Sequence, residues 1–186
     1  MDVLESLTPD QRTLIVSLPY RAGLWVSQSD DSGGDEADQK ELTALDNILH
    51  GFSEQVFGSE LLQYVMSETV SRKAEWDGWG ENLERLPMEC EQALDILRAY
   101  VDEKEVSAYS TRLMEIAEAV ALAFREYEEG SAVGRVVVYC SYAVMRLKSI
   151  LRKQPSKSFD QFLSISASER KALGALASAL GSHYTL

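Results

Sequence analysis

Apolar residues recur at three- and four-residue spacing along almost the whole chain, the period that lines one face of an α-helix. Thr8-Pro9-Asp10-Gln11 reads as a helix start, with Thr8 as N-cap, Pro9 in the first turn and Gln11 closing a capping box. Ile15, Leu18, Ala22 and Trp25 follow as its stripe. Pro19 interrupts that stripe, so the segment either kinks there or divides into two shorter helices. Leu42, Leu45, Ile48, Leu49 and Phe52 give the next stripe, ending near His50-Gly51, and the two segments with their loop make a helical hairpin.

Gly58-Ser59-Glu60 opens a third helix, striped by Leu61, Leu62, Val65, Met66, Thr69 and Val70, which stops in Glu75-Trp76-Asp77-Gly78-Trp79-Gly80. Two tryptophans in a glycine-containing loop suit either an exposed recognition platform or a plug over the open end of a bundle. Pro87 fits the first turn of a fourth helix, aligned on Cys90, Leu94, Leu97 and Val101. The polar break Asp102-Glu103-Lys104-Glu105 leads into a fifth, with Leu113, Ile116, Val120 and Phe124 inward. Glu115 and Glu118, with Glu126, Glu128 and Glu129, are expected on its solvated outer face.

Residues 132–151 are the least polar stretch, carrying only Arg135, Arg146 and Lys148 as charges, and are expected to form a central helix. The uncharged run between Arg135 and Arg146 falls well short of the roughly 20 residues that span a bilayer. A basic connector follows at 152–157. Ser166-Ala167-Ser168-Glu169 is a capping box for a last helix, striped by Leu173, Leu176 and Leu180 and closed by Gly181. The pattern therefore predicts a single all-α domain over 1–186, a compact bundle of about six to eight helices around a central apolar one, since no hairpin dipeptide separates alternating strands.

Composition sharpens this picture mainly through charge. With 45% hydrophobic and 26% charged residues, the 186-residue chain can bury a core. Thirty acids against eighteen bases leave a net charge of −12, a field that repels nucleic acid and anionic membrane surfaces and favours cations or a protein partner with a basic surface. Cys90 and Cys140 each lie in an apolar stripe, where a buried thiol is expected and a secreted disulfide framework is not. The first residues lack the basic region and apolar run of a signal peptide, so a cytoplasmic location is expected.

The densest charge falls between the first two helices, in the stretch from Ser29 to Glu41. Counted from Asp30 against a twelve-residue calcium loop, Ser32 takes position 3, Asp38 position 9 and Glu41 position 12, all oxygen-bearing ligand positions. Gly34 at position 5 offers no side-chain oxygen, and Asp35 stands where the turn glycine belongs. Asp30, Asp31, Asp35, Asp38 and Glu41 are thus the candidate ligands for a weak divalent-cation site, and an all-oxygen set suits calcium or magnesium rather than zinc. The competing reading is that acids gather where a helix begins, at the positive end of its dipole.

Other chemistry is thinly represented. His50 and His183, the only imidazoles, are far apart in sequence and do not suggest a catalytic triad. Gly130-Ser131-Ala132-Val133-Gly134-Arg135 lacks the lysine and preceding strand of a phosphate loop. Glu115 and Glu118 share a helix face, but the Glu-x-x-His unit of di-iron bundles does not occur.

An apolar helix running into an Asp-rich glycine loop and then an acidic first turn resembles the TerB-like family of tellurite-resistance proteins. The residues carrying the resemblance are Asp30 or Asp31, Gly33 and Glu41. It implies an all-helical fold, acidic metal-binding residues and a stress-associated assembly role. The function expected from residues and resemblance together is a non-enzymatic acidic binding or assembly protein. The alternative is a metal-dependent hydrolase working through the same loop carboxylates.

Overall fold

The computed structural model describes residues 6–29, 35–55, 58–125 and 167–181, and every one of its regular elements is helical. Seven α-helices are present among the described residues: α1 (Pro9–Ser27), α2 (Asp35–Ser53), α3 (Glu60–Ser71), α4 (Trp76–Trp79), α5 (Leu86–Arg98), α6 (Glu103–Arg125) and α7 (Ala167–Ala179). They share one apolar core. Residues 132–151, the expected central helix, lie outside the described residues, as do the connector at 152–157 and the cap at Ser166.

Among the described helices, α1 holds the centre. Every residue from Ile15 to Leu24 is buried, nearly three full turns enclosed on all sides, and α1 packs against α2, α3, α4, α5, α6 and α7. Its start follows the sequence: the Thr8 side chain accepts from Gln11 N, while Gln11 Oε1 accepts from Thr8 N. The helix also runs unbroken through Pro19, contrary to a division into two. A proline there removes the donor to the carbonyl four residues back, that of Ile15. Tyr109 of α6 fills the gap, its hydroxyl donating to Ile15 O at 2.7 Å. One turn of α3 away, the Thr69 hydroxyl lies 2.6 Å from Val16 O and 2.8 Å from Val65 O.

That replacement makes a specific prediction. Tyr109→Phe leaves a buried carbonyl without a donor and should cost about 1 to 3 kcal/mol. In a Pro19→Ala background, the restored Ala N–H can serve Ile15 O, so the same change should cost only a few tenths of a kcal/mol. Urea titration of the two single variants and the double variant measures the coupling; strict additivity would show that the Tyr109 bond does not compensate for the proline.

Directions follow from side-chain contacts. Tyr109 meets Ile15, and Ile116 and Val120 lie beside Gly23, so α6 runs alongside α1 in the same sense. The returning helix α2 is antiparallel, with Leu45 against Gly23 and Glu41 beside Ser27. On α2, Leu42 is not part of the inward stripe but is 40% exposed. Ser59 caps α3 by accepting from Leu62 N, and its hydroxyl donates to Glu105 Oε2 at 2.5 Å, tying the starts of α3 and α6 together. The last described helix is held to the first by Trp25 Nε1, which donates to Ala172 O at 3.2 Å. Two residues past the end of α7, Gly181 has a φ of +61°, a left-handed conformation that glycine adopts without strain.

The tryptophan pair proves to be a plug rather than a platform. Trp76 and Trp79 are both buried, and Tyr20 of α1 stacks on Trp76 with ring centroids 4.7 Å apart and planes inclined by 22°. Trp76 Nε1 donates to Thr69 O at 2.9 Å, satisfying a carbonyl in the last turn of α3 that has no partner within the helix. Arg72 and Lys73 lie over the outer faces of Trp79 and Trp76, at 5.3 and 5.6 Å from the ring centroids.

Candidate functional site

The five candidate cation ligands divide three ways. Asp30 and Asp31 lie outside the described residues. Asp35 and Asp38 fall on the first turns of α2, with the helix beginning at Asp35, and their side chains are likewise outside the described set. Glu41 is the one whose side chain is described. It is half-buried and accepts the Ser27 hydroxyl at 2.6 Å, so it latches the start of α2 to the last residue of α1. Among the described residues, no group of three or more His, Cys, Asp and Glu side chains converges as a metal site would require.

Charge inside the fold departs further from the sequence reading. Glu118, expected in solvent, is buried at 5% exposure, and the Glu115 side chain retains only 11%. Glu126, Glu128 and Glu129 lie outside the described residues. The signal was present in the neighbours: Ile116, Ala117, Ala119, Val120 and Ala121 are all buried, so α6 is apolar around its circumference there and an acid within it has no outer face to occupy. Arg112, also buried, lies 3.3 Å from Glu115 Oε2, donates to Gln55 Oε1 at 3.2 Å, and sits 4.5 Å from the Phe52 ring centroid. Burial lowers the pKa of its guanidinium, and the neighbouring Glu115 works in the opposite direction.

A second buried cation, Arg21, stands on the central helix. Its Nη1 lies 2.6 Å from Glu89 Oε2 of α5, and its Nη2 points to the carbonyl of Asn82, the one described non-glycine residue at positive φ. Cys90 follows Glu89 directly and is a free, buried thiol. Burial pushes its pKa up to about 12, outweighing the opposing pull of Arg21, so the thiol is held protonated and unreactive. The Arg21–Glu89 pair is positioned as a fastener between α1 and α5, whereas Arg112 and Glu115 pair within α6 and Arg112 reaches α2 through the Phe52 ring.

The outer face of α5 is different in kind. Leu86, Cys90, Ala93, Leu94 and Leu97 turn inward, while Met88, Glu91 and Asp95 of α5, with Glu84 in the short turn just before it, are exposed at spacings of four, three and four. Met88 is 51% exposed in the middle of that acidic row. Past the end of the helix, Tyr100 is also exposed, next to Asp102 and Glu103. Arg98 is engaged locally, 2.8 Å from Asp95 and 4.0 Å from Glu103.

The chain is thus an all-α bundle with an ion pair fastening α1 to α5 and an acidic outer helix. No family model, curated protein or solved structure matches it. None of the described helices is long and apolar enough to cross a membrane.

Proposed function

We propose that the protein is a non-enzymatic binding and assembly protein that receives a basic protein partner on the outer face of α5. The observation that supports this reading is the row Glu84, Met88, Glu91 and Asp95: carboxylates attract Lys and Arg side chains, and a flexible exposed thioether between them gives an apolar contact that adapts to shape. The net charge of −12 adds long-range attraction for the same class of partner. A synthetic helical peptide alternating Lys and Leu tests it, with fluorescence anisotropy as the readout. Glu91→Lys with Asp95→Lys should weaken binding on the order of tenfold at low salt, and raising the salt should erase most of the difference. Equal affinity of parent and variant would overturn the assignment.

The same reading includes weak, TerB-like binding of calcium or magnesium by the acidic stretch that runs from Asp30 into the first turns of α2. Six carboxylates within twelve residues, the five candidate ligands and Glu36, repel one another, and a divalent ion held by several of them relieves that cost. With a glycine at position 5 and no turn glycine at position 6, affinity is expected on the order of 10⁻⁴ to 10⁻³ M, so millimolar calcium should stabilise the fold by about 1 to 3 kcal/mol. Thermal melts against an ionic-strength-matched sodium control measure this directly. Asp35→Asn and Asp38→Asn are the informative variants, because Glu41→Gln also disturbs the bond to Ser27. A midpoint unmoved by calcium leaves the loop as a charged helix start.

A further inference from the structure

We draw no further inference here: the strongest candidate, the buried Arg21 guanidinium at the crossing of α1 and α5, whose Nε makes no hydrogen bond, closes on Glu89 and the Asn82 carbonyl, and nothing in the structure shows a ligand that it would face.

Discussion

Glu89→Ala is expected to lower the stability of the fold by about 3 kcal/mol, because it strands the buried Arg21 guanidinium without its carboxylate. Arg21 is 7% exposed on a helix enclosed on every side, so water cannot easily take over the lost contact, and the Asn82 carbonyl at 3.5 Å is a weak substitute. Glu89 keeps 19% of its side-chain exposure, which places the cost at the lower end of the range for enclosed pairs. For a chain of this length the thermal midpoint should fall by roughly 6 to 12 °C. The companion variant is more telling. Arg21→Met combined with Glu89→Leu removes both charges and should be neutral or stabilising, since replacing a buried pair by apolar groups avoids the desolvation that the pair must overcome. A double variant as unstable as Glu89→Ala would mean that the pair contributes net stability, and that the ionic contact itself holds α5 to α1.

The internal pairs bear on what can be said of function. Arg21, Glu89, Arg112 and Glu115 are charged groups of the kind that serve catalysis, yet each is drawn into an ion pair, Arg21 with Glu89 between α1 and α5 and Arg112 with Glu115 within α6. Cys90, the described thiol, is protonated by burial. The groups facing solvent around α5 include the carboxylates Glu91 and Asp95 beside an exposed methionine, with Arg98 paired to Asp95, a composition suited to recognition by charge and contact. Divalent-ion binding ahead of α2 and basic-partner binding on α5 are compatible, because the Glu41–Ser27 bond belongs to the α1–α2 hairpin while the proposed docking row lies on the separate helix α5.

Element boundaries were legible where local chemistry sets them. Thr8 with Gln11, Ser59 before α3, Pro87 in α5 and Gly181 after α7 each fulfil the capping or turn role that their residue type suggests. The inward stripes of α3 and α5 were legible too, since those helices bury one face and solvate the other. What the pattern concealed was total burial. A helix enclosed on all sides loses the contrast between faces, so α1 read as an ordinary amphipathic segment, although Ser17 and Arg21 are buried along with Leu18 and Ala22. Glu118 was misplaced for the same reason: a carboxylate suggests solvent until its neighbours on every side prove apolar. Pro19 suggested a break because the compensating donor, Tyr109, lies ninety-four residues beyond the Ile15 carbonyl it serves.

The tightest approach to any described glycine supplies the second large effect, at Gly23. A Cβ built there would lie 2.3 Å from Leu45 Cδ1, 3.2 Å from Val120 Cγ2 and 3.5 Å from Ile116 Cγ2, so the absence of a side chain is what lets α2 and α6 close on the central helix together. Two effects oppose each other in Gly23→Ala. Alanine gains about 1 kcal/mol of helix propensity over glycine, whereas overpacking a filled core typically costs about 1 to 3 kcal/mol. The Leu45 methyl is the end of a flexible side chain, but Leu45 is fully buried and Val120 limits the other side, so the clash should win and Gly23→Ala should be destabilising by about 1 kcal/mol. Gly23→Val adds two further methyl groups and restricts χ1, and should cost about 3 kcal/mol or more. The mechanism is separable from a general intolerance of α1 to change. Leu45→Ala alone opens a cavity and should cost about 2 to 4 kcal/mol, but it also removes the atom that meets the new Cβ. Gly23→Ala with Leu45→Ala should therefore be more stable than the sum of the single effects predicts, by about 1 kcal/mol or more. Chemical denaturation of the four proteins at one temperature gives that coupling, and additivity within a few tenths of a kcal/mol would show that α1 and α2 do not close on each other at Gly23.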